Sequence, residues 1–130
     1  MKNKIIATIL ALVGVSTTHA QSEVYQFNLS PEQFAKYIKS ENIQILDVRT
    51  PDEFFESHLK GAVNINIYDD DFESRVKAEL SKYLPVAVYC RSGKRSAEAA
   101  KILKSIGFNV KNLDGGIISW KKSNLPIATE

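Results

Sequence analysis

A chain of 130 residues with 44% hydrophobic and 25% charged residues has enough apolar material for one packed domain and hardly enough for two. Its formal charge of +2, from 17 basic and 15 acidic residues, implies no basic face for nucleic acid. A single cysteine, Cys90, excludes both an internal disulfide and a thioredoxin-type pair, and two histidines are too few for a zinc site built on cysteine and histidine clusters.

The N-terminus reads as an export signal. Lys2 and Lys4 precede an apolar run over 5–15, and the stretch ends in Thr18, His19 and Ala20 before Gln21. Eleven apolar residues fall short of the roughly 20 that a membrane-spanning helix needs, so cleavage after Ala20 is expected rather than anchoring. The division is therefore a signal peptide over 1–20 and one domain over 21–130. Cleavage removes Lys2, Lys4 and His19, leaving 15 basic against 15 acidic residues and His58 as the sole histidine. A periplasmic or secreted monomer, free of the membrane after cleavage, is expected.

Strand-like and helix-like stretches then alternate. Residues 24–27 are expected to form a first strand, and Ser30, Pro31 and Gln33 write an N-cap, a first-position proline and a capping-box partner. Phe34 and Ile38 would face the core of that helix. A strand over 43–48 follows, and Thr50, Pro51 and Glu53 repeat the capping logic before Phe54 and Phe55. A short strand is expected over 62–67. Phe72, Val76 and Leu80 recur at helical spacing behind the acidic head Asp69, Asp70 and Asp71, which lacks the spacing and glycine of a calcium loop. After Pro85, the continuous apolar run 86–89 has the form of a strand buried on both faces of a parallel sheet. Ala99, Leu103 and Ile106 mark a helix over 96–106 closed by Gly107, residues 110–113 a last strand, Gly115 and Gly116 a turn, and 117–122 a short helix. Trp120 and the other aromatics are assigned to the core.

This alternation predicts an α/β domain with a mainly parallel central sheet flanked by helices. Ligands of such sheets bind at the carboxyl ends of strands, where Cys90 stands. The thiol opens the loop Arg91, Ser92, Gly93, Lys94 and Arg95 ahead of a helix. Unpartnered N–H groups at a helix start, and three nearby cations, favour thiolate over thiol. Gly93 is expected to take a positive φ, so that successive N–H groups converge on an anion. Arg91 and Arg95 present planar forks suited to an oxyanion, and Lys94 a point charge. His58 is better suited to bonding backbone carbonyls near a helix end than to a dyad with Cys90. Asp47 and Arg49 read as a structural ion pair or cap.

Three stretches together resemble rhodanese-type sulfurtransferase domains: residues 46–54 (Leu46-Asp47-Val48-Arg49-Thr50-Pro51-Asp52-Glu53-Phe54), residues 58–65 (His58-Leu59-Lys60-Gly61-Ala62-Val63-Asn64-Ile65) and the loop from Tyr89 to Ser96. Leu113-Asp114-Gly115-Gly116-Ile117, with Trp120, is similar to the family's final turn and helix, and the likeness spans about 26–127. A signal ahead of one such domain is similar to the small exported rhodaneses. The resemblance implies a rhodanese-like three-layer domain and a thiosulfate sulfurtransferase. Cys90 would be the catalytic nucleophile carrying a persulfide, and Arg91, Ser92, Gly93, Lys94 and Arg95 the substrate-binding loop. Sulfur would pass to cyanide, a thiol or a partner protein, with no metal or organic cofactor. Two other readings stand beside it. A cysteine-loop phosphatase or arsenate reductase places five residues between cysteine and arginine, whereas four separate Cys90 from Arg95. A non-enzymatic persulfide carrier or binding module would use the same fold.

Overall fold

The computed structural model describes residues 26–40 and 42–129. The signal reading over 1–20, with its cleavage point after Ala20, lies outside the described residues.

Ten elements alternate among the described residues: β1 (Asn28–Leu29), α1 (Pro31–Lys39), β2 (Gln44–Asp47), α2 (Pro51–Glu56), β3 (Val63–Asn64), α3 (Phe72–Glu79), β4 (Val86–Tyr89), α4 (Lys94–Ser105), β5 (Val110–Leu113) and α5 (Gly116–Lys122). All strands are parallel, in the order β1-β5-β4-β2-β3. Two helix starts form as their local sequence dictates. The Ser30 hydroxyl accepts from Gln33 N at 3.2 Å while Ser30 N donates to the Gln33 side chain at 2.9 Å, and Thr50 and Glu53 make the same reciprocal pair at the start of α2.

Strand β4 lies at the centre of the sheet, and its alternation divides the core. Val86, Val88 and Cys90 pack with Phe72 and Val76 of α3 and Ala99, Ala100 and Leu103 of α4. Ala87 and Tyr89 point the other way, among Phe34 of α1 and Ile117 and Trp120 of α5. Helices thus cover both faces, as the parallel sheet requires. The ladder pairs Asp47 with Tyr89, so β2 and β4 end side by side immediately before Cys90.

Four expectations need correction. Of the strand expected over 24–27, Val24 and Tyr25 lie outside the described residues and Gln26 and Phe27 precede the strand, so that pairing falls on Asn28 and Leu29. Polar Asn28 belongs there because the Asn112 side chain on β5 donates to its side-chain oxygen at 2.9 Å, a partner 84 residues away. The strand expected over 62–67 shrinks to Val63–Asn64, since it is an edge strand whose one neighbour, β2, stops at Asp47. Single backbone bonds from Ile65 N to Asp47 O and from Ile67 N to Val48 O carry the contact further. The aromatics are not all core: Phe34, Tyr89 and Trp120 are buried, but Phe55, Tyr68 and Tyr83 are 67%, 68% and 95% exposed. Helix α4 also starts two residues before the expected Ser96, directly after Gly93.

Candidate active site

Cys90 is the first residue beyond β4, and its side chain is 1% exposed. The chain then turns through Arg91, Ser92 and Gly93, whose φ of +101° is the left-handed conformation expected of it. That turn aims Gly93 N–H at the Cys90 sulfur, 3.1 Å away, and α4 brings the Ser96 hydroxyl to 3.3 Å. Burial pushes the Cys90 thiol up, but the Ser96 hydroxyl and the backbone N–H groups of Ser96, Gly93 and Ser92 outweigh it, and the net shift is downward. Hydrogen bonds directed at sulfur are therefore central to the activation.

The loop is held from outside by the start of α5. Ile117 N donates to the carbonyl of Cys90 at 2.9 Å and Ile118 N to that of Arg91 at 3.1 Å. With these carbonyls drawn away from the sulfur, the following N–H groups are free to face it. The approach demands glycine at position 116, where φ is +63° and a Cβ would stand 2.3 Å from the Arg91 carbonyl oxygen.

The cations of the loop have different surroundings. Arg91, Ser92 and Lys94 are exposed. Arg95 instead donates from Nη1 to Glu53 Oε1 at 2.8 Å and from Nη2 to Glu53 Oε2 at 2.9 Å, so both terminal nitrogens of its fork are engaged. Its guanidinium also lies over the Tyr68 ring, 5.8 Å from the centroid. Hydrogen bonds from Arg95 hold the Glu53 carboxyl down to about 2 against the opposing effect of burial, with Thr50 assisting. Glu53 thus serves both the cap of α2 and the active loop. Its capping role is written in local spacing, but nothing local reveals a partner 42 residues away. Ser96, read as a helix start, is likewise a sulfur ligand.

Asp47 and Arg49 form the structural pair expected of them. Arg49 Nη2 meets Asp47 Oδ2 at 2.6 Å and also donates to Ser57 O at 2.7 Å. Tyr89, the residue before Cys90, donates its hydroxyl to Asp47 Oδ2 at 2.6 Å and accepts from Leu59 N at 3.0 Å. Burial and then the Asp47 charge hold the Tyr89 hydroxyl well above the usual phenol range, so it remains a donor. This buried network fixes the end of β4 against the segment after α2. His58 stacks on Phe54 at 3.8 Å and donates from Nδ1 to Phe54 O at 2.9 Å, a bond to a backbone carbonyl at the end of α2 as expected. Asp69, Asp70 and Asp71 precede α3 without a side-chain cap, Asp69 facing Arg75 at 3.9 Å. Among the described residues, no group of three or more histidine, cysteine or carboxylate side chains is arranged to hold a metal ion.

The sequence and the fold match known proteins. A family model described as Rhodanese-like domain matches residues 30–123. The Arabidopsis thaliana protein named Thiosulfate sulfurtransferase 18 is 31% identical over 129 residues, covering 90% of this chain and 93% of that relative. A protein of Allochromatium vinosum named Sulfurtransferase is 35% identical over 89 residues, covering 68% of this chain and 80% of its own. The crystal structure of a rhodanese-related protein from Thermoplasma volcanium superposes with a TM-score of 0.67 at 29% identity, covering 79% of this chain and 98% of that one. With the match extending through both helix caps, the cysteine loop and the turn that supports it, the chain belongs to the rhodanese-like domain family, a family of sulfur transfer.

Proposed function

We propose that the protein transfers a sulfane sulfur from thiosulfate or a similar small donor to a nucleophilic acceptor through a persulfide on Cys90. The observation that carries this reading is the convergence of donors on one buried sulfur: Gly93 N–H at 3.1 Å and the Ser96 hydroxyl at 3.3 Å, with the N–H groups of Ser92 and Ser96. A thiolate so placed is a nucleophile, and the same donors suit the terminal sulfur anion of a persulfide.

The Cys90 thiolate attacks the outer sulfur of thiosulfate. A Cys90 S–S bond forms, the donor's S–S bond breaks, and its electron pair leaves with sulfite. A second nucleophile, cyanide or a thiolate, then takes the outer sulfur and returns the electron pair to Cys90. Arg91 and Lys94, exposed beside the loop, draw the anionic donor in, while Arg95 is held by Glu53.

Intact-protein mass spectrometry after thiosulfate tests the reading directly. The protein is expected to gain one sulfur atom on Cys90 and to lose it to cyanide with release of thiocyanate. Unchanged turnover by Cys90→Ser overturns it. Export to a periplasm or the cell exterior belongs to the same proposal, supported by the basic start, short apolar run and Ala20. N-terminal sequencing of exported material should read Gln21 first.

A further inference from the structure

Beside the cysteine loop opens a pocket of about 350 Å³ lined by Ile67, Tyr68, Lys94, Arg95 and Glu98. Its volume is within the usual range for small-ligand sites. Lys94 follows Gly93, one donor to the Cys90 sulfur, and Arg95 precedes Ser96, another, so two of the pocket's lining residues lie in the chain between donors of the sulfur cradle.

The charges of this lining are unequally committed. Arg95 is occupied by Glu53 on both terminal nitrogens. Lys94 makes no ion pair among the described residues. Glu98 lies one helical turn from Lys94 on α4, and its ion pair among the described residues is with Lys101, at 3.7 Å in a well-exposed pair that contributes little. A cation and an anion thus stand on the same helix face without neutralising each other. The rest of the lining includes the apolar side chain of Ile67 and the Tyr68 ring.

We infer that this pocket is the acceptor subsite and that it selects a small zwitterionic amino thiol, its carboxylate on Lys94, its ammonium on Glu98 and its carbon chain against Ile67 and Tyr68. The inference rests on the proposed sulfur transfer. The acceptor thiolate attacks the outer sulfur of the Cys90 persulfide, a new S–S bond forms on the acceptor, and the old S–S bond breaks with its electron pair returning to Cys90. The acceptor leaves as a persulfide anion, and no oxidant or reductant is consumed.

The test separates binding from turnover. S-methylcysteine, whose thioether cannot accept sulfur, is titrated calorimetrically into the protein beside 3-(methylthio)propionate, which lacks the ammonium, and 2-(methylthio)ethylamine, which lacks the carboxylate. S-methylcysteine should bind about two- to fivefold more tightly than either, the scale of one exposed ion pair. Glu98→Gln should erase its advantage over the propionate, and Lys94→Gln its advantage over the amine. Equal binding of the three probes, or advantages that persist in both variants, overturns the assignment. In turnover, KM for cysteine should rise by a similar factor in each variant, comparison of one thiol across proteins removing differences in thiol reactivity. Persulfide loading of Cys90 without probe selectivity sinks the pocket alone, whereas selectivity without persulfide loading sinks the functional reading.

Discussion

Gly116 lies directly under Arg91: a Cβ added to the glycine would stand 2.3 Å from the Arg91 carbonyl oxygen and 2.6 Å from Ser92 N. Two remote segments are thereby in contact at backbone level, and the bonds from Ile117 N and Ile118 N to the loop carbonyls depend on that approach. Gly116→Ala should displace the cysteine loop. A shift of about 1 Å in catalytic donors costs on the order of a hundredfold, so kcat/KM for sulfur transfer should fall by about that factor. The left-handed backbone adds roughly 1–2 kcal/mol of destabilisation, readable by denaturant unfolding. Normal turnover by this variant would show that the turn does not organise the loop.

Ser96→Ala should raise the Cys90 pKa. The folded protein holds this thiol below its ordinary value, so thiolate persists at pH values where a free cysteine is protonated, and reactivity is lost only as pH falls through the lowered midpoint. Removing the hydroxyl at 3.3 Å takes away the strongest of the opposing hydrogen bonds. The pH profile of alkylation should therefore move upward in the variant. An unmoved profile would assign the activation to the backbone donors alone.

Glu53 makes stability acid-sensitive. Its pKa falls from 4.5 to about 2 in the folded state, so its contribution is complete above the unfolded value and is lost as pH drops toward about 2. Glu53→Gln removes the bidentate pair with Arg95 and weakens the cap of α2, at a cost of about 1–2 kcal/mol near neutral pH. Urea unfolding should show wild type losing more stability than the variant on going from neutral pH to about pH 3. Parallel losses in both proteins would exclude Glu53 as the titrating group.

The Asp47, Arg49 and Tyr89 network should be costly to break and unequal in its parts. Tyr89→Phe leaves Leu59 N–H without its acceptor and should destabilise by about 1–3 kcal/mol. Asp47→Ala strands the buried Arg49 guanidinium and should cost about 3–5 kcal/mol. Denaturant midpoints measure both. A larger loss for Tyr89→Phe would reverse the order of importance proposed for the carboxylate and the phenol.

Loop length should set substrate class. Four residues between Cys90 and Arg95 close donors around a single sulfur, whereas phosphate carries four oxygens and needs a wider cradle. Wild type should hydrolyse an aryl phosphate negligibly while forming thiocyanate. One glycine inserted between Gly93 and Lys94 should reduce sulfur transfer by roughly a hundredfold. Faster phosphate hydrolysis than thiocyanate production by wild type would favour a phosphatase.

What was legible in the sequence is what depends on near neighbours. Ser30 with Gln33 and Thr50 with Glu53 are capping pairs three residues apart, and both helices start where those residues say. The run 86–89 is apolar at every position because a central parallel strand is buried on both sides, and it matches β4 residue for residue. Gly93 takes the positive φ expected of a loop that turns its N–H groups inward. The strands at the two sheet edges were less legible, since Asn28 pairs through Asn112 and β3 extends only as far as β2 can accept it.

The tertiary structure alone decided which loop residues have which partners. Arg95 and Lys94 are adjacent cations, and the sequence favours the planar fork of Arg95 for an oxyanion, yet Glu53 engages Arg95 from 42 residues away and leaves Lys94 exposed. Ser96 became a donor to sulfur because the first turn of α4 brings it back over Cys90, and Gly116 became indispensable because the β5 turn passes beneath Arg91. Local sequence specifies backbone conformation through steric limits and short-range hydrogen bonds, so caps, a buried strand and a nucleophile-bearing loop can be read from it. Partner choice is a competition among groups that only packing brings within bonding distance, and the sheet order β1-β5-β4-β2-β3 settled that competition here.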